Sequence, residues 1–173
     1  MKTYSSLIRQ ERIDKVMSQR RNDLALVLEN LSEDLNISAI LRTAEGFGIS
    51  KICIVYDTKK PHLSKNTSSG ATKWLEISYY KSITTCLNSL KKSGYQLFGA
   101  LVDPNAKLLW EQDFSGKIAV VMGNEAKGLS KKAQKLVNVN IYLPMYGLTE
   151  SLNVSVATAL FLYEVIRQKE KRD

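Results

Sequence analysis

The sequence predicts an α/β fold, a parallel sheet with helices on both faces. Three observations carry that reading. Apolar runs of strand length alternate with helical periods along most of the 173 residues, with short joints between them. The run at 52–56, from Ile52 to Tyr56, has no polar interruption, the pattern of a strand covered on both faces. Residues 151–168 read as a long helix carrying Leu152, Val154, Val156, Leu160, Phe161, Leu162, Tyr163 and Val165. A helix so apolar around its circumference is expected to be buried.

Taken in order, residues 7–21 read as a helix with a rough apolar stripe of Leu7, Ile8, Ile13, Val16 and Met17. Its other side holds Arg9, Arg12, Lys15, Arg20 and Arg21 against Glu11 and Asp14. That excess of cations exceeds what solubility needs, so residues 1–23 are expected to form a basic helical arm for phosphates. A strand at 24–29 follows, then a helix at 37–47 with Asn36 as its N-cap. After the strand at 52–56 comes a polar loop, 57–73, with His62, Asn66, Thr67, Ser68, Ser69 and Gly70. Further strands are expected at 74–80, 96–101, 118–122 and 140–143, with helices at 82–92 and 129–137. Pro144 cannot donate to a ladder and should stop the last strand. A turn-rich loop around Gly147 then leads to Ser151 or Asn153, either of which can cap the final helix. No linker, repeat or low-complexity segment divides the chain, which reads as one domain over 1–173.

A hydrophobic content of 44% suits a sizeable core, and a net charge of +8 favours a polyanionic partner. Basic proteins without a nucleic-acid role are common, so charge alone does not decide the partner. No apolar run is long enough for a membrane span, and the first residues lack the apolar block of a signal peptide. Cys53 and Cys86 are too few for a disulfide framework, so a cytoplasmic protein without a membrane partner is expected. One histidine and two scattered cysteines exclude the common zinc sites, and no metal is expected. His62 has no nucleophile elbow near it, which argues against hydrolase chemistry.

Three stretches could carry chemistry. In the helix after Asn36, residues Ile37, Ile40, Leu41, Ala44 and Phe47 share an apolar face, and Arg42 points away from it. Spacing alone favours a surface arginine paired with Glu45. The segment VVMGNEAKGLS, 120–130, superficially resembles a phosphate-binding loop, but Leu129 and Ser130 stand where Lys and Ser/Thr are required. Glu125 there reads as a cap for the next helix. In the loop 144–153, helix capping explains Ser151 or Asn153 but not both, and leaves Glu150 and Gly147 without a reason.

Together, NISAILRTAEGFG (36–48), MGNEAKGLS (122–130) and IYLPMYGLTESLNVSVATAL (141–160) resemble the three motifs of the SpoU branch of the SPOUT methyltransferases. These enzymes transfer a methyl group from S-adenosylmethionine to a ribose 2′-hydroxyl in RNA. The arm and the segment NTSSGATKWLEI look like those of the tRNA methyltransferases that modify the D-loop guanosine at position 18. The segment 32–35 is more acidic than in that group, and many of its members continue beyond the position of Asp173. The resemblance implies a parallel sheet with a deep C-terminal trefoil knot, a homodimer, and tRNA as partner. It also implies S-adenosylmethionine bound by Ala100, Gly123, Leu143 and Leu152, and a catalytic set of Asn36, Arg42, Glu125, Ser151 and Asn153. In that set Arg42 would gather the substrate phosphate and the attacking hydroxyl, with Asn36 orienting it. Arg9, Arg12, Arg20 and Arg21 would contact RNA. Competing readings are methylation of the tRNA wobble ribose or of ribosomal RNA, and a catalytically silent RNA-binding protein on the same scaffold.

Overall fold

The computed structural model describes residues 4–63 and 70–171, without the side chains of residues 4–7, 9 and 12. Residues Asn66, Thr67, Ser68 and Ser69, and the arginine side chains of Arg9 and Arg12, therefore lie outside the described part. The elements run α1 (Tyr4–Ser18), β1 (Arg21–Glu29), α2 (Asp34–Gly46), β2 (Ile49–Val55), β3 (Glu76–Tyr80), α3 (Ile83–Lys92), β4 (Gln96–Ala100), β5 (Lys107–Leu108), β6 (Ile118–Met122), α4 (Lys131–Leu136), β7 (Val139–Tyr142) and α5 (Val154–Glu170). Among the described residues seven strands form one sheet in the order β3-β2-β1-β6-β4-β7-β5, and every pairing is parallel.

Side-chain alternation along β1 divides the core. Leu24, Leu26 and Leu28 pack with α2 and α5 on one face, while Ala25 and Val27 pack with α3 and α4 on the other. Each fully buried leucine or isoleucine in these layers contributes about 2 kcal/mol of apolar transfer. The helices cover both faces, as the apolar strand runs require.

Several expectations are corrected. The first helix ends at Ser18, and Arg21 already belongs to β1, its N–H donating to the Gly48 carbonyl at 2.9 Å. Sheet pairing takes the chain away from the helix before the last two arginines of the expected arm. The apolar side chains Ile8, Val16 and Met17 of α1 are exposed. Residues Ala71–Trp74 form a 3-10 turn before β3, and the short strand β5 with a 3-10 turn at Leu109–Glu111 had no sequence signature. The final helix is buried along one side only. Val154, Thr158, Phe161, Leu162, Val165 and Ile166 are buried, whereas Val156, Leu160 and Tyr163 are 50%, 40% and 55% exposed. The buried side rests on β6 and α2, which cannot surround the whole circumference.

Polar contacts fix the N-terminal edge of the sheet. Lys169, near the end of α5, donates to Asp23 at 2.5 Å and to the Gly116 carbonyl at 2.6 Å, and is itself buried. Arg21 pairs with Glu170 at 3.2 Å. Arg20 donates to the Trp74 carbonyl. No helix among the described residues is long and apolar enough to cross a membrane.

Candidate active site

The chain leaving β1 turns towards β2, yet β6 lies on the other side of β1. Such a reversal opens a crevice beyond the strand ends, where ligands of α/β sheets bind. A cavity of about 820 Å³ lies there. Its walls come from the loops after β1, β4, β6 and β7 and from the start of α5.

Glu125, in the loop after β6, crosses this crevice. Its carboxylate accepts the Ser32 N–H at 3.0 Å, the Ser32 hydroxyl at 2.9 Å, the Glu33 N–H at 3.3 Å and the Asn36 side-chain amide at 3.0 Å. The neighbouring Asn124 amide adds a bond of 3.4 Å. Glu125 thus supplies acceptors to the start of α2, where free N–H groups favour negative charge. Contrary to expectation, it does not cap the helix that follows it. Ser130 caps α4 instead, accepting the Ala133 N–H at 3.1 Å. Burial alone would raise the Glu125 pKa. Hydrogen bonds from Ser32, Asn36 and its own loop outweigh burial and bring it down from 4.5 to about 2. Glu125 is therefore a fixed anion at neutral pH and a poor proton acceptor.

Asn36 is not an N-cap. The helix begins two residues earlier, with Glu33 at the cap position and no side-chain cap. Its amide is used across the crevice: Nδ2 donates to Glu125, and Oδ1 accepts Asn153 Nδ2 at 3.1 Å. Asn153 caps α5 with its Oδ1, which accepts the Ser155 N–H at 2.8 Å and the Ser155 hydroxyl at 2.6 Å. One chain of hydrogen bonds thus runs from the start of α5, through Asn153, Asn36 and Glu125, to the start of α2. Ser151 lines the same cavity with no hydrogen-bond partner among the described residues.

Arg42 is exposed and lies outside the cavity walls. Six residues along a helix rotate it about 120° from Asn36 and move it about 9 Å along the axis. Asn36 is bonded to Glu125 and Asn153, so within this chain it does not orient Arg42. The expected pair with Glu45 is also missing among the described residues.

Ala100, Gly123, Leu143 and Leu152 all line the cavity. Gly123 is demanded by the turn itself, since a Cβ there would lie 2.2 Å from the backbone at Gly128 and Leu129. The loop folds back through paired Asn124 and Gly128 backbone bonds of 3.1 and 2.8 Å, with Gly128 at φ 64°. The donor set fits S-adenosylmethionine. Ala100, Leu143, Leu152 and Phe161 offer an apolar wall for an adenine, and Glu33, Asp103 and Glu150 offer carboxylates towards a cationic ligand. No group of His, Cys, Asp and Glu able to hold a metal occurs among the described residues.

Ser32, Glu33, Asn124 and Asn30 were missed by sequence reading. Asn124 Oδ1 accepts the Ala126 and Lys127 N–H groups, each at 3.0 Å, an Asx turn that Asn before a loop could have signalled. The amides of Ser32 and Glu33 carry no side-chain signal at all.

Residues 23–163 match the SpoU rRNA methylase family. The chain is 34% identical over 163 residues to a tRNA (guanosine(18)-2′-O)-methyltransferase of Thermus thermophilus, covering 94% of this chain and 84% of that one. It is 32% identical over 162 residues to the enzyme of the same name from Escherichia coli, covering 94% and 71%. A crystal structure of the Aquifex aeolicus TrmH/SpoU tRNA-modifying enzyme superposes with a TM-score of 0.90 at 30% identity, covering 96% of this chain and 85% of that one. With its motif residues gathered at the strand ends and its family matched over most of its length, the chain belongs to the SpoU methylase family.

Proposed function

We propose that this protein transfers a methyl group from S-adenosylmethionine to a ribose 2′-hydroxyl of tRNA, at the D-loop guanosine of position 18. The observation that carries the reading is convergence. Asn36, Glu125, Ser151 and Asn153, from three distant segments, meet on the cavity that Ala100, Gly123, Leu143 and Leu152 also line. Relatives that carry the guanosine-18 name match nearly the whole chain, which favours that target over the wobble ribose or ribosomal RNA.

When bound, S-adenosylmethionine supplies an electrophilic methyl group, so the protein must hold the hydroxyl in line and stabilise the oxygen as its proton passes to solvent water. Ser151, without a partner among the described residues, contacts the ribose. Glu125 keeps Asn36 and Asn153 in one geometry, and its low pKa makes it an anchor, not the base. Arg42 binds a substrate phosphate with one edge of its fork and the developing oxyanion with the other. It enters the site only when RNA or a second chain closes over the exposed side of α2.

The same reading includes a single domain over 1–173, a C-terminal trefoil knot, a cytoplasmic location and a homodimer. The exposed stripe Val156, Leu160 and Tyr163 supports a second chain against α5. Arg9 and Arg12 would reach RNA phosphates, while Arg20 and Arg21, already bonded at the sheet edge, contribute less. The deciding experiment is methyl transfer to total tRNA with mapping of the product. A 2′-O-methyl group at the D-loop guanosine is expected; one at the wobble position, or none, removes the proposal. Sedimentation should give a dimer that Leu160→Glu splits, and a wild-type monomer would remove the assembly.

A further inference from the structure

A second cavity, of about 570 Å³, lies beside the first at the C-terminal ends of β1 and β2. It shares Asn124, Lys127 and Gly128 with the first, and adds Lys59, Lys60 and Tyr56. Nothing in the reaction above uses it.

The junction between the two is held by Asn30, whose backbone is left-handed at φ 53°. Its side chain donates to Asp57 at 3.3 Å and accepts the Asp57 N–H at 3.1 Å, while its carbonyl accepts Asn124 Nδ2 at 2.7 Å. The wall between the cavities is therefore braced from both sides.

Charges in this cavity are sorted. Each carboxylate is already held by a neutral donor: Glu29 accepts the Ser130 N–H at 2.9 Å, Asp34 the His62 N–H at 3.2 Å, and Asp57 the Asn30 amide. Its lysines have no carboxylate partner among the described residues. Aromatic rings hold two ammonium groups instead. Lys60 lies 3.7 Å from the centre of the Tyr79 ring, and Lys81, outside the lining, lies 4.0 Å from that of Tyr56 and donates to the Thr58 carbonyl at 3.4 Å. A ring attracts a cation without neutralising it, so each keeps its charge for an incoming anion. The lining cations Lys59, Lys60 and Lys127 equal Glu29, Asp34 and Asp57 in number, but the carboxylates are spent on neutral donors, which suits one phosphodiester with a neutral polar body better than a free polyphosphate.

We propose that this cavity is a nucleotide subsite, holding the RNA residue that flanks the target ribose, with its phosphate on Lys59, Lys60 and Lys127. The proposal rests on the RNA methylation reading, since the shared wall lets one strand occupy both cavities.

The test compares Lys59→Glu/Lys60→Glu with Lys91→Glu/Lys92→Glu. The second pair has the same charge change at the end of α3, on the opposite edge of the sheet. tRNA binding is measured by fluorescence anisotropy over a range of salt, with methyl transfer in parallel and S-adenosylmethionine binding by calorimetry as the check on folding. The cavity pair should weaken tRNA binding roughly tenfold and flatten the salt dependence by about 0.7 per lost phosphate contact. Cofactor affinity should hold, and the distant pair should change binding far less. Equal losses from the two pairs, or no loss from the cavity pair, would overturn the subsite. A wild-type protein that transfers no methyl but binds tRNA through the cavity lysines would remove the catalytic reading and leave the subsite in place.

Discussion

The two edges of the sheet handle charge in opposite ways. At the N-terminal edge, opposite charges meet directly: Lys169 with Asp23, and Arg21 with Glu170. At the C-terminal edge a carboxylate, Glu125, is held by amides and a hydroxyl, with no cation paired to it among the described residues. A salt bridge closes a surface, because both partners are spent on each other. A carboxylate held by neutral donors fixes loop geometry and leaves the cationic groups free for a ligand. The first edge is a clamp and the second is a site.

The contrast is tested most strongly at Arg42, a cation with no partner among the described residues. Lysine keeps the charge but loses the planar fork. Arg42→Lys should lower turnover by about 10²-fold, as misplacement of a positioning group does, with cofactor binding spared. Steady-state transfer to tRNA beside calorimetry reads both, and a lysine variant near wild type would show that a point charge suffices.

At the clamp edge the effect should fall on stability. Lys169→Ala leaves the part-exposed Asp23 and the Gly116 carbonyl without their donor and should cost about 2 kcal/mol, seen in urea unfolding. Transfer per folded molecule should be unchanged. A loss of turnover without loss of stability would break the distinction between the edges.

The pH response isolates the site edge. Glu125 has a folded pKa depressed to about 2 from 4.5, so its contribution to stability is present above 4.5 and is lost as pH falls towards 2. Glu125→Gln should flatten unfolding free energy across that window relative to wild type. Identical acid profiles would show that the amide cradle does not stabilise the anion.

The smallest effect is expected at Arg21, whose partner Glu170 is largely exposed. Arg21→Ala should cost under about 1 kcal/mol, reduced further by salt. A larger loss would mean that this pair belongs to the same unit as Lys169.

Much of this was legible in residue order. Strand runs such as 52–56 and 118–122 read directly, because a strand covered on both faces must be apolar at successive positions. Motif resemblance singled out Asn36, Glu125, Ser151 and Asn153, which the fold brings to one cavity, and Asn153 was legible as a cap through its position before an apolar helix. What only folding decided is who touches whom. Glu125 reaches Ser32, 93 positions away, because β6 inserts beside β1, a neighbour relation that no local period encodes. For the same reason Asn36 gave up the cap position for Glu125 and Asn153. Arg42 fell outside the cavity although it stands in the same motif, since helical rotation separates residues that sequence places together. Periodicity reports which side chains are buried; the order of strands in the sheet decides which polar groups converge.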